Sequence, residues 1–352
     1  MISICIIAKN EAGRIEHCLE RLSHLGYEIV VTDTGSTDDT KKIAKMYTDC
    51  VYEFEWVDDF ALARNFCAYK ATNDMVMFVD ADEYLINFDK EQFESELKTH
   101  SDYIGKITNN IVMNYNGKKT ISKSSLARVY NRNLYHYVGI VHEQIARICH
   151  DNEPILYYDL PVELEHFGYD QSLEQKKKKA NFYLKLLEIE NKKNPNNPYT
   201  LYQMGKSYVY IQDYAKAYDY FKGVMDYDLN PKTDWVLTLV LMYAQVLMKL
   251  SKYDEAMQML NIYDEFSYSP DYVATMGNIL FNCKLYDDAL VLYNTVLKSD
   301  IPMLYDNIRN VSYNMGNIYL AKGDKQGAIK YFKDALPLGV AKKALSKLGI
   351  VS

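Results

Sequence analysis

Four stretches in the second half of the chain superimpose without a gap: DYAKAYDYF (213–221), KYDEAMQML (252–260), LYDDALVLY (285–293) and DKQGAIKYF (324–332). Each carries an alanine in register, at 217, 256, 289 and 328, so the spacings are 39, 33 and 39 residues. Twelve residues before each alanine stands a small residue: Gly205, Ala244, Gly277 and Gly316. A unit of this length cannot bury its apolar face alone, so a chain with such a period must stack its units into an array. A small residue followed twelve positions later by an alanine marks two helices that cross closely, with aromatic rings filling the space beside them. The pattern predicts about four helix pairs across residues 198–345. Tyrosine supplies many of the rings: the chain has 33, most of them after residue 180.

The first ~150 residues obey a different period. ISICIIA (2–8) is a short, β-branched, apolar run of the kind buried on both faces of a parallel sheet. Residues 11–24 then fit a helix, with Ile15, Cys18, Leu19 and Leu22 on one stripe. EIVVTD (28–33), CVYEFEW (50–56) and DMVMFVDAD (74–82) read as further strands, with helices near 37–46 and 61–71 between them. Strand–helix alternation at this spacing predicts an α/β layer architecture. Ligands of such sheets bind beyond the carboxyl ends of the strands, which is where Asp33, Asp80 and Asp82 fall. The division expected from these periods is 1–172 for the α/β domain, 173–197 for a connecting helix and 198–345 for the repeats.

Charge and cysteine usage remove several classes. A net charge of −7 argues against a nucleic-acid partner, because phosphate binding needs a basic face. The run Lys176–Lys179 reads as a solvated helix face. Six scattered cysteines without a C-x-x-C pair fit free thiols in a reducing compartment better than disulfides or a zinc site. The N-terminal apolar stretch lacks a basic lead and breaks at Lys9-Asn10-Glu11, and no run reaches the ~18–20 apolar residues of a membrane span. A cytoplasmic protein is expected.

Two acidic constellations remain to be explained. On a strand, Asp80 and Asp82 of VMFVDADEYL (76–85) would share a face, and two ionised carboxylates there are unfavourable unless a cation lies beside them. A hard divalent ion that also takes phosphate oxygens is the chemical reading; a solvated exit from the strand is the plain one. Glu83 would point the other way and buttress the loop. In VVTDTGSTDDT (30–40), Asp33 ends a strand, Gly35 permits a sharp turn, and Ser36 or Thr37 is placed to cap the next helix. The DTGS tetrapeptide also occurs in aspartic-protease sites, but those need a second such motif in an all-β setting, and this chain has neither.

Four segments in order, IIAKNE (6–11), VVTDTGSTDDT (30–40), WVDDFALARN (56–65) and MFVDADEYL (77–85), resemble a family 2 glycosyltransferase of the GT-A, Rossmann-like fold. The second half resembles tetratricopeptide repeats. YVGIVHEQI (137–145) and LEHFGYDQS (164–172) are similar to the subgroup in which the two are joined, which includes protein and peptide glycosyltransferases such as the S-glycosyltransferases of glycosylated bacteriocins.

The resemblance implies the following roles. Ala8, Asn10 and Glu11 line a nucleoside pocket, and Asp33 contacts the uracil or ribose. Arg64 sits near the base or diphosphate. Asp80 faces the ribose and metal, Asp82 ligates Mn²⁺ or Mg²⁺, and His166 or His142 supplies a further ligand. Glu143 is the general base; many family members have an Asp of a Glu-Asp pair there, where this chain has His142-Glu143. The implied activity is an inverting transfer of glucose or N-acetylglucosamine from a UDP-sugar to a Ser, Thr or Cys side chain of a bacterial polypeptide such as flagellin or a bacteriocin precursor, held by the repeats. A saccharide or lipid-linked acceptor, and a non-catalytic scaffold, are the alternatives.

Overall fold

The computed structural model describes residues 1–115, 118–149, 153–166, 172–301, 303 and 308–350; Phe167–Gln171 of the LEHFGYDQS segment lie outside them. The chain divides into two compact units, Met1–Pro195 and Asn196–Ser352.

The first unit runs β1 (Ile2–Ala8), α1 (Ile15–Ser23), β2 (Glu28–Asp33), α2 (Thr40–Ala44), β3 (Val51–Glu53), α3 (Phe60–Lys70), β4 (Met75–Phe78), β5 (Glu83–Phe88) and α4 (Lys90–Thr99). It continues with β6 (Ile104–Tyr115), β7 (Lys118–Asn131), β8 (Tyr135–Val138), β9 (Gln144–Arg147), β10 (Tyr157–His166) and α5 (Leu173–Lys193). The main sheet has the order β3-β2-β1-β4-β7-β6-β10-β5. Its β3-β2-β1-β4 half is parallel, β7 runs antiparallel to β4 and β6, and β10 is parallel to β6 but antiparallel to β5. This is the expected Rossmann-like layer with a mixed far half. The continuous apolar character of β1 follows from its two coats. Ile2, Ile4, Ile6 and Ala8 share a core with Ile15, Cys18, Leu19 and Leu22 of α1 and with Phe93 of α4. Cys5 joins Ala61, Cys67 and Ala68 of α3 on the opposite face.

The second unit consists of helices. α6 (Pro198–Ile211) pairs with α7 (Tyr214–Met225), and α8 (Asp234–Lys249) is followed by α9 (Tyr253–Gln258), a 3₁₀ turn (Met259–Ile262) and α10 (Tyr263–Phe266). α11 (Pro270–Asn282) pairs with α12 (Tyr286–Leu297), α13 (Ile308–Ala321) with α14 (Lys325–Asp334), and α15 (Gly339–Lys347) closes the array. The four in-register alanines are fully buried. A Cβ added to Gly205, Gly277 or Gly316 would lie 2.5–2.6 Å from the ring of Phe221, Tyr293 or Phe332. The ring stands sixteen positions after the glycine each time, and where that position holds Leu260 the small residue is Ala244. Glycine at the crossing is therefore dictated by the ring that overlies it. A cleft of about 460 Å³ runs along α8, α11 and α13, the first helices of three successive pairs, and amide side chains of Gln245, Asn278, Asn282, Asn310 and Asn314 line it.

Candidate active site

Strands β1, β2 and β4 end side by side, with Ala8 paired to Asp33 and Cys5 to Phe78. The loops leaving these ends carry most of the acidic constellations. The 9–12 and 34–39 loops are tied to each other. Asn10 N–H donates to Ser36 Oγ, Thr37 N–H to Asn10 Oδ1, Glu11 N–H to Thr40 Oγ1 and Ala12 N–H to Asp38 Oδ2. Ser36 and Thr37 thus bridge two loops and do not cap α2, whose first residue follows Asp39. Ala8 is buried, its carbonyl accepting from Thr34 N–H. Asp33 Oδ2 accepts from the N–H groups of Gly35 and Ser36, while its buried Oδ1 has no hydrogen-bond partner among the described residues.

The strand expected over 74–82 ends at Phe78, so Asp80 and Asp82 do not share a strand face. They sit in a turn closed by Glu83 N–H donating to the Asp80 carbonyl. The repulsion foreseen between these carboxylates is relieved by separate cations. Asp80 Oδ1 accepts from Arg64 at 2.9 Å and Oδ2 from Arg128 at 2.7 Å. Asp82 Oδ2 lies 3.2 Å from His166 Nε2 and 4.0 Å from Arg14, which also pairs with Glu11 at 3.3 Å. Glu83, 1% exposed at its side chain, turns back beneath the loop: it accepts from Asp80 N–H, Asn109 and Arg128.

Arg64 is the hub. Its guanidinium lies over the rings of Phe78 and Tyr137, at 5.4 and 5.3 Å, and also donates through Nε to Glu143. One side chain therefore joins the turn after β4 to the loop carrying Glu143. Its neighbour Asn65 makes two 2.8 Å bonds to the main chain of Tyr137, and Phe60 N–H donates to the Ile140 carbonyl. This accounts for the WVDDFALARN segment: α3 braces the β8–β9 hairpin, whose loop 139–143 bears His142 and Glu143. Gly139 has φ 91° there, and even His142 is left-handed at φ 55°, so the loop is tightly wound. His142 packs edge-on against Tyr183, with 5.0 Å between ring centroids.

Electrostatics follow the partners. Burial pushes the Asp80 carboxyl up, but Arg128 and Arg64 outweigh it and hold it well below the usual range. Burial likewise opposes ionisation of Asp82, and the His166 hydrogen bond reverses the sign and lowers it. Glu83 and Glu11 move up, burial being the largest cause for each. Burial disfavours the charged His166, yet the bond to Asp82 raises it. Arg64, disfavoured by burial, is raised by Asp80 and Glu143.

The fold thus gathers Arg64, Asp80 and Glu143 into one network and Glu11, Asp82 and His166 into an adjoining one, with Asn10 and Asp33 in the neighbouring loops. Asp80, expected on both donor and metal, has both carboxylate oxygens engaged by guanidinium groups. Among the described residues no group of three His, Cys, Asp or Glu side chains stands ready for a metal. Asp82 and His166 nevertheless form an O,N donor pair that fits a divalent ion completing its shell with phosphate and water. Sequence reasoning passed over Arg128, Arg14 and Asn109. A signal existed for Arg128: an arginine inside the apolar run SLARVY (125–130) is a buried charge that needs a partner.

A glycosyl transferase family 2 profile matches residues 3–147, and tetratricopeptide repeat profiles match 199–227 and 310–337. The chain is 28% identical over 255 residues to the SPbeta prophage-derived glycosyltransferase SunS of Bacillus subtilis (strain 168), covering 70% of this chain and 59% of that protein. It is 27% identical over 228 residues to a TPR repeat-containing protein of Synechococcus elongatus, covering 63% and 55%. The chain spans less than two thirds of the length of these relatives. Among solved structures it is similar to YrrB, a TPR protein, with a TM-score of 0.41 at 20% identity over 50% of this chain and 87% of that one. The chain thus carries a glycosyl transferase family 2 match in its first unit and tetratricopeptide repeat matches in its second.

Proposed function

We propose that the protein transfers a sugar, glucose or N-acetylglucosamine, from a UDP-sugar to a Ser, Thr or Cys side chain of a bacterial polypeptide, with inversion and in the cytoplasm. The observation that carries the reading is the Asp80–Arg64–Glu143 network beside the Asp82–His166 pair, at the strand ends of a family 2 domain. In this reading residues 1–172 bind the donor and the repeats at 198–345 hold the acceptor.

Each residue has a task. Asp33 offers its unpaired buried oxygen to an N–H of the base or an O–H of the ribose, which removes the cost of an unsatisfied acceptor, about 1–3 kcal/mol. The tied loops carrying Ala8, Asn10 and Glu11 wall the nucleoside. Asp80, fixed by two arginines, faces the ribose, and Asp82 and His166 would hold Mn²⁺ or Mg²⁺, which when bound would supply positive charge beside the diphosphate. Glu143 takes the proton of the acceptor O–H or S–H as the acceptor atom bonds to the anomeric carbon and the bond from that carbon to the diphosphate oxygen breaks. Arg64 orients Glu143 against Asp80. The amide-lined cleft of the second unit supports a polypeptide acceptor, because an amide both donates to carbonyls and accepts from N–H groups.

A panel of nucleotide sugars with Mn²⁺, scored by release of nucleoside diphosphate in the presence of peptide or oligosaccharide acceptors, tests this. UDP-sugar turnover stimulated by peptide, and lost in Asp82→Asn, is the expected result. Stimulation by oligosaccharide alone would redirect the acceptor, and turnover of no nucleotide sugar would end the reading.

A further inference from the structure

The loop carrying Glu143 is gripped from two sides, and only one grip comes from the part of the chain matched by the transferase family. That grip is α3, through Phe60, Arg64 and Asn65. The other is α5, which begins well beyond residue 147. There the Glu190 carboxylate accepts from Ile140 N–H at 2.8 Å. The Tyr183 ring, two turns earlier on the same helix, meets His142 edge-on at 5.0 Å between centroids. The helix is anchored by its own apolar stripe, Ala180, Leu184 and Leu187.

The loop needs such a grip. Gly139 takes its positive φ freely, but His142 is a non-glycine residue at φ 55°, a backbone that persists only where its surroundings hold it. Ile140 is 3% exposed, so its N–H is shielded from water and depends on a protein acceptor. Glu190 is that acceptor. Glu143 stands three residues further on, and a shift of about 1 Å in a reacting group can cost roughly 100-fold in rate.

We propose that Glu190, supported by Tyr183, is a positioning residue: α5 clamps the 139–143 loop and thereby sets the reach of the Glu143 carboxylate toward the acceptor. The proposal rests on the reading of Glu143 as the base. It makes α5 part of the catalytic machinery and not merely a spacer before the repeats.

The test uses the full chain with Glu190→Ala and Glu190→Gln, the latter keeping an oxygen that accepts from Ile140 N–H. In Glu190→Ala, amide exchange over 139–143 should quicken by about tenfold, the worth of one buried hydrogen bond. Turnover should fall roughly 10–100-fold in kcat while UDP affinity and donor KM stay within about twofold. Glu190→Gln should restore both exchange and kcat, as Tyr183→Phe should where Tyr183→Ala does not. Unchanged exchange or unchanged kcat in Glu190→Ala overturns the clamp. So does a loss of UDP affinity together with a lowered melting temperature, which would make Glu190 a general structural residue. Glu143→Gln separates the two ideas: full turnover there removes the base, while the exchange measurement still decides whether α5 holds the loop.

Discussion

The two units solve the burial problem in opposite ways. In the second, the same local solution recurs: a glycine, a ring sixteen residues later and a buried alanine between them, at three of four crossings. In the first, the decisive contacts are single and distant. Arg64 reaches Glu143 across 79 positions, Arg128 reaches Asp80 across 48, and His166 reaches Asp82 across 84. Shape complementarity tolerates repetition and averaging. A buried charge network does not, because removing one member leaves another charge unpaired. The chemistry is therefore expected in the unit that spends its buried positions on charge.

Five substitutions break or sharpen that contrast. The largest effect is expected from Glu143→Gln, which should lower turnover roughly 10²–10⁴-fold with the fold intact by circular dichroism. Next comes Arg64→Met, which takes the guanidinium from Glu143 and leaves Asp80 with Arg128 alone. It should cost about 3–5 kcal/mol. The chain has two tryptophans, Trp56 in the first unit and Trp235 in the second, so a Trp235→Phe or Trp56→Phe background lets fluorescence follow urea unfolding of one unit at a time. The Trp56 transition should move and the Trp235 transition should not.

Smaller effects belong to the repeats. Gly277→Ala places a methyl 2.6 Å from a Tyr293 ring carbon and should cost about 1–3 kcal/mol. Adding Tyr293→Leu copies the Ala244–Leu260 combination, so the double variant should lose less than the sum of the two single changes; simple additivity would sever the glycine from the ring. The smallest effect is expected from Ala244→Gly, about 1 kcal/mol, as helix propensity alone demands. All three changes should leave UDP binding where it was.

The same contrast decides what was legible beforehand. Period carried the repeats, because their contacts lie within one unit of sequence: the small residues, the alanines and the rings can all be counted along the chain. β1 and β2 were readable at Ile2–Ala8 and Glu28–Asp33 because both faces of each are apolar. The DADE segment misled in its geometry. An apolar run followed by Asp-Ala-Asp looks like a continuing strand, and nothing local says that Glu83 folds back to accept from Asp80 N–H and turns the chain. The partners of these carboxylates were beyond reach for the same reason. Arg128 arrives from β7, which lies next to β4 only because the sheet reverses direction there. Arg64 was found through its motif, but its two hydrogen bonds, one to Asp80 and one to Glu143, exist only once α3 and the β8–β9 hairpin are packed together.

The central claim is that these distant residues form one nucleotide-sugar site. Calorimetric titration of UDP into the protein, with and without Mn²⁺, tests it most directly, comparing the native chain with Asp82→Asn and His166→Ala. The account predicts that the ion tightens UDP binding in the native chain and that this gain disappears in Asp82→Asn and shrinks in His166→Ala. Equal tightening in all three, or no UDP binding in any, would contradict it.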